Sequence, residues 1–245
     1  MVNYENPPIT EVVCEFVFAE NTEWDSAIPG LIYAEAKERF PIREQRSQSI
    51  ITCPITPSNE EPKATKRDVT VFLNNEKNIF IQVGSQNISL NQLKPYSKWE
   101  DFKNNIVYIF NIFKKLIRSD ALESISLQYT NLIEIPGERI DLDTYFEIRP
   151  FLGKQLPQGT VSFIIGCIFM FHEGRDTCKV TLTDTISGNK KSTAFVLNMD
   201  YSLLKSRSVP IDQTLGWIET AHEELEKIFD GCTSDRLKDL FGVVK

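Results

Sequence analysis

The sequence predicts an α+β protein with one antiparallel sheet and its helices on one side, and three observations carry that prediction. First, two long stretches place apolar residues at helical spacing. One is residues 97–119, through Trp99, Phe102, Ile106, Ile109, Phe110, Phe113 and Leu116; the other is residues 212–229, through Leu215, Ile218, Leu225, Ile228 and Phe229. Second, several shorter runs alternate at period two, the signature of a half-buried strand. Third, these runs follow one another through turn sequences (Asn74-Asn75-Glu76-Lys77, Glu173-Gly174-Arg175-Asp176, Ser187-Gly188-Asn189) rather than through helices. Consecutive hairpins make an antiparallel layer, not a doubly wound parallel sheet.

Taken in order, residues 3–9 form an extended arm, because Pro7 and Pro8 exclude helix. Residues 11–18 alternate with Val12, Cys14, Phe16 and Phe18 on one face, so they form a strand with one buried side. A short helical run, LIYAEAKERF, is stopped by Pro41, and residues 50–53 offer a short strand. Residues 54–65, with three prolines and two adjacent glutamates, read as a loop. Residues 68–73 and 78–83 form a hairpin, and residues 88–96 lead through Pro95 into the central helix. Ser97 with Glu100 three residues on has the form of a capping box for that helix.

The same order then repeats. Residues 124–135 form a strand, and residues 142–146 a short helix opened by Asp141 and ended before Pro150. Residues 161–171, 177–184 and 193–199 form three more strands. A long helix over 212–229 and a short one over 234–241, stopped by Gly242, complete the chain. Trp99 and Trp217 hold equivalent places near the starts of the two long helices. We therefore expect two halves, 1–120 and 121–245, each a β-α-β-β-β-α unit, packed as one compact body. Two such units related by a pseudo-twofold would fuse into one curved sheet with the long helices on one side, the TATA-binding-protein-like arrangement. That analogy of fold does not bring DNA binding with it.

Charge bears on partners. With 34 acidic against 27 basic residues the formal net charge is −7, so a phosphate backbone is disfavoured as a ligand. The five cysteines are scattered without a CxxC pair, which excludes a disulfide framework or a zinc knuckle. The start lacks the features of a signal peptide and no apolar run reaches membrane-spanning length, so the cytoplasm is the expected location and no membrane is expected.

The sequence holds no GxSxG elbow, no GxxxxGK phosphate loop and no GxGxxG after a strand. Neither a cofactor nor an enzymatic reaction is expected from it. Only two histidines occur. His222 has Glu226, not a second histidine, four residues on, so the paired-ligand spacing of a helical zinc site is incomplete and we expect a half-exposed helix histidine. Cys232, read as a turn residue, is the best-placed thiol for nucleophilic chemistry, but no histidine adjoins it in sequence.

The junction strand ISLQYTNLIEIP is the most informative stretch. Its inward row of Ile125, Leu127, Tyr129, Asn131, Ile133 and Ile135 contains one amide, Asn131, which must find a partner if buried. Either Asn131 ties down a neighbouring segment, or Tyr129 and Asn131 face a pocket between sheet and helix and orient a ligand. Asn91 and Tyr96 are further candidates, in a recognition loop ahead of the central helix.

Four ordered blocks, NPPITEVVCEF, SLNQLKPYSKWEDF, LQYTNLIEIP and AHEELEKIFDGCTSDRLKDLF, span nearly the whole chain. In them the chain resembles a sporadically distributed bacterial family of uncharacterised proteins of similar length. Where members of that family carry arginine before the Tyr-x-Asn of the junction strand, this chain has Gln128. The resemblance carries over no catalytic residue. Its patchy distribution implies an accessory role in a mobile system such as antiviral defence or a toxin–antitoxin pair. The expected function is therefore a non-enzymatic protein-interaction module with a protein partner. A small-ligand binder or an enzyme using the cleft at Tyr129 and Asn131 is the alternative, and a nucleic-acid binder on the sheet face is a further one. Exposed sheet edges leave room for a homodimer.

Overall fold

A computed structural model of the chain describes residues 4–52, 63–96, 98–157, 161–189 and 191–242. Period-two alternation becomes strand at nine places: β1 (Ile9–Val17), β2 (Ile42–Thr52), β3 (Lys63–Leu73), β4 (Ile79–Val83), β5 (Asn87–Leu93), β6 (Ser124–Pro136), β7 (Ile164–Phe171), β8 (Asp176–Thr185) and β9 (Ser192–Leu203). Helices are α1 (Ile28–Ala36), α2 (Trp99–Leu116), α3 (Leu142–Tyr145), α4 (Thr214–Cys232) and α5 (Asp235–Phe241). The strands form one sheet in the order β2-β3-β4-β5-β1-β6-β9-β8-β7, antiparallel throughout. Strands from before residue 120 lie on one side of the β1–β6 pair and later strands on the other. Cys14 stands opposite Leu127, and Val12 opposite Tyr129, across that central pair.

Three boundaries differ from the sequence reading, each for a physical reason. The stretch expected to lead into the central helix is strand β5, which pairs with both β4 and β1. Its polar residues Ser89, Asn91 and Gln92 hide the alternation, yet all three are buried. The first half thus holds four strands after its first helix, not three. Strand β2 starts at Ile42, well before the expected Ile50, because a sheet-edge strand tolerates Arg43, Glu44 and Arg46. Of the loop expected over 54–65, residues 53–62 lie outside the described residues and Lys63–Thr65 belong to β3. Ser97 is likewise outside them, and the residue capping α2 is Lys98.

One large core joins the helices to a single face of the sheet. From α2 it takes Trp99, Phe102, Ile106, Ile109, Phe110, Ile112 and Phe113; from α4, Trp217, Ile218, Ala221 and Leu225; from the sheet, Val12, Cys14, Phe16, Leu127, Tyr129, Val180, Leu197 and Tyr201. Phe113 packs against Phe16 at 4.9 Å and edge-on to Phe18 at 5.4 Å between ring centroids. Each such buried aromatic is worth about 1.5–3 kcal/mol relative to exposure. On the other face a small buried apolar cluster, Val69, Val71, Leu73 and Phe80 with Ile42, receives no helix among the described residues. Where β6 meets β9 that face is polar, as in the pair Gln128 Nε2 to Asn198 Oδ1 at 3.2 Å.

Buried Asp176 anchors α4 to β8. It accepts hydrogen bonds from Trp217 Nε1 (2.9 Å), the Tyr201 hydroxyl (3.3 Å) and the Arg175 guanidinium (2.6 Å). At the end of the chain Ser234 caps α5, accepting from the Leu237 amide. Gly242, with φ +70°, closes that helix in the left-handed region that favours glycine. The N-terminal arm then pairs with this end: Glu5 N donates to Gly242 O at 2.8 Å and Asn6 N to Phe241 O at 2.9 Å. Among the described residues no helix is long and apolar enough to cross a membrane.

Candidate functional site

The arm that docks on α5 also roofs a cavity of about 370 Å³. Its floor is the helix-facing row of β6, where Tyr129 and Asn131 sit beside Met199 of β9. One wall is α4, with His222, Leu225, Glu226, Phe229 and Asp230; the other is Tyr96 and Trp99 at the approach to α2. The arm supplies Tyr4, Pro7, Pro8 and Ile9. Between Ile9 and Glu11 the β1–β6 register shifts by one residue, a bulge beside the cavity. Tyr4 is held edge-on by Phe241 at 5.5 Å.

His222 is the centre of this site. The sequence reading made it half-exposed, but only 4% of it is accessible. The reason is its place on α4, on the same face as Ile218, Ala221 and Leu225. Its ring stacks on Trp99 at 3.9 Å with 16° between planes. Trp99 is fixed in turn by its indole N–H, which donates to Glu219 at 3.2 Å, and Glu219 also pairs with Lys103 at 2.5 Å. Burial tends to push the Glu219 carboxyl up, but those two donors overcome it and hold it below the usual range.

Burial lowers the His222 imidazole to about 4, so the ring is neutral near pH 7. Nδ1 lies 3.0 Å from the Tyr129 hydroxyl. Burial holds that phenol well above its ordinary value of 10, and the neighbouring Tyr96 adds to the shift. Tyr129 therefore keeps its proton, and whether it donates to Nδ1 or accepts from it follows the imidazole tautomer. Nε2 stands 3.4 Å from Glu226 Oε1, but the geometry is not that of a hydrogen bond. Burial raises the Glu226 carboxyl, and the nearby Asp230 and Glu223 raise it further.

His222, Tyr96 and Tyr4 line the cavity, and the polar atoms His222 Nε2, Tyr96 Oη and Tyr4 Oη are buried without hydrogen-bond geometry to a partner among the described residues. The Tyr96 ring meets that of Tyr129 edge-on at 6.1 Å, with the two hydroxyls in polar contact. Burial pushes both Tyr96 and Tyr4 up to about 12, so both are neutral donors. Aromatic walls with a few convergent polar groups are the usual make-up of a small-molecule site.

Of the four residues singled out from sequence, the fold brings Tyr129, Asn131 and Tyr96 to this cavity and leaves Asn91 outside it. Asn91 lies on the opposite sheet face, accepting from Ser89 Oγ at 2.9 Å and donating to Glu11 at 3.3 Å. Asn131 donates to Leu197 O at 3.1 Å on the neighbouring strand. Gln128 also points away, toward Asn198. Apart from the helical spacing of Ile218, His222 and Leu225, nothing in the sequence pattern marks His222, Glu226 and Tyr4 as cavity residues.

Cys232 ends α4 rather than lying in a turn, and burial pushes its thiol up to about 11, away from nucleophilic use at neutral pH. Among the described residues no group of three or more His, Cys, Asp or Glu side chains converges as a metal site. Searched against known proteins, the chain matches no protein-family model and no curated protein.

Proposed function

We propose that the protein binds a small organic ligand in the cavity between α4, β6 and the N-terminal arm. One observation carries this reading: the side chains of His222, Tyr96 and Tyr4, each able to hydrogen-bond, line one aromatic-walled cavity. A buried polar group without a partner costs about 1–3 kcal/mol, and a ligand whose polar groups reach these side chains relieves part of that cost. The ligand class that fits is a ring-containing molecule with carbonyl-type acceptor oxygens. Its ring packs against Tyr4, Tyr96 and Phe229, and a polar group pairs with His222.

A ligand-observed NMR screen of heteroaromatic carbonyl fragments tests this. Hits are expected on the wild-type protein, lost in His222→Asn and weakened in Tyr129→Phe. A screen with no hits on folded wild-type protein would end the reading.

The interaction module anticipated from the sequence stands as a second reading, favoured by the apolar edge strand β7. We also read the strand order as the trace of an internal duplication. Strands β1, β5, β4 and β3 would correspond to β6, β9, β8 and β7 about a pseudo-twofold at the β1–β6 pair, giving the curved, TATA-binding-protein-like sheet. In the accessory system that the family resemblance implies, the cavity would sense a ligand on behalf of a protein partner.

A further inference from the structure

The two ends of the sheet are built differently. At one end β3 is covered by β2 over eleven residue pairs, and β2 carries Arg43, Glu44 and Arg46, charges that discourage a further strand. At the other end β7 pairs only with β8, and among the described residues no strand lies beyond it. Its sequence, IIGCIFMF, contains no charge and no proline. Side chains on both faces are open: Ile164 is 74% exposed, Met170 69%, Ile168 62% and Phe169 43%. The neighbouring strand shows what this position would carry if water were its permanent neighbour. Opposite Met170, Ile168, Gly166 and Ile164, β8 presents Thr177, Lys179, Thr181 and Thr183.

We infer that the chain forms a homodimer through antiparallel pairing of β7 with the β7 of a second copy, making one continuous sheet. A strand is required because only a strand satisfies the outward N–H and C=O groups of an edge. A second copy is favoured because antiparallel self-pairing about a twofold is self-complementary. Centred on Cys167, it sets Ile164 against Met170, Ile165 against Phe169 and Gly166 against Ile168 of the other copy. Each is an apolar cross-strand pair, and Gly166 leaves room for the Ile168 side chain. Two molecules of charge −7 repel, and this uncharged edge lets them meet without setting like charges face to face. Val161 and Ile186, both almost fully exposed just beyond the start of β7, extend the apolar surface.

The test is molar mass in solution by light scattering on the full chain, at micromolar concentration and above. Wild-type protein should show twice the 28.1 kDa of one chain. Ile168→Lys, at an exposed position, should halve that mass while leaving the circular dichroism spectrum unchanged. A short bis-maleimide should join two copies in the wild type and fail to do so in Cys167→Ser, a substitution that leaves the edge otherwise intact. A wild-type monomer overturns the inference, as does a dimer that Ile168→Lys leaves whole or that crosslinks equally without Cys167.

Discussion

Acidification from pH 7 to pH 5 should cost the fold about 2 kcal/mol through His222 alone. The imidazole falls from its ordinary 6.5 to about 4 in the folded protein because it is buried. The groups facing it are Tyr129 from β6, Trp99 and Lys103 from α2, Tyr96 before that helix, and Glu219 and Glu226 on its own helix. A depressed folded value means that the unfolded chain takes up a proton first. Stability is therefore intact above about 6.5, is lost progressively below it, and stops changing once the folded ring also protonates near 4. At pH 5 the unfolded ring is almost wholly protonated and the folded ring roughly one-tenth so, which gives the stated cost; the full span would reach about 3 kcal/mol.

Urea unfolding of wild type and His222→Asn at pH 7 and pH 5 measures this. Asparagine keeps an acceptor for the Tyr129 hydroxyl but cannot titrate. Glu226, raised by burial, shifts stability in the opposite sense on acidification, and it cancels to first order in the difference between the two proteins. The wild type should lose about 2 kcal/mol more than the variant over this interval. Parallel losses would mean that His222 titrates normally, and the neutral, stacked imidazole at the heart of the site would be wrong.

Other consequences concern the frame around the site. Asp176→Ala strands the Trp217 indole and the Tyr201 hydroxyl in the core and should destabilise by about 3–5 kcal/mol in urea melts. An unchanged midpoint would show that α4 is anchored otherwise. Phe113→Ala removes the ring that meets Phe16 and Phe18, and calorimetry should register a loss of about 3–5 kcal/mol. Ser234→Ala removes the cap of α5 and should cost only about 1 kcal/mol, with hydrogen exchange rising first in Leu237 and its neighbours.

The elements with strong periodicity were legible in the sequence. Helices α2 and α4, the inward row of β6 and the hairpin before β4 follow directly from spacing and turn residues. Strands β2 and β5 were obscured because their alternation is polar: Arg43 and Glu44 sit at an edge, and Ser89 and Asn91 are satisfied by each other and by Glu11. At the site, Tyr129 and Asn131 stood out because an amide in an apolar row demands a partner. His222 did not, since its acidic neighbours Glu223, Glu224 and Glu226 suggested a solvated face. Only the stacking of Trp99, brought from a helix more than a hundred residues away, makes it part of the core. Tyr4 was equally hidden, because its position depends on the arm pairing with the far end of the chain.

The most direct test of ligand binding is calorimetric titration of a fragment hit into wild type and Tyr96→Phe. That substitution removes a hydroxyl whose polar neighbour, Tyr129, keeps its pairing with His222, so the fold should change little. Loss of one ligand hydrogen bond should weaken affinity by roughly tenfold. Equal affinity for the two proteins would contradict the account and place the ligand, if it binds, outside this cavity.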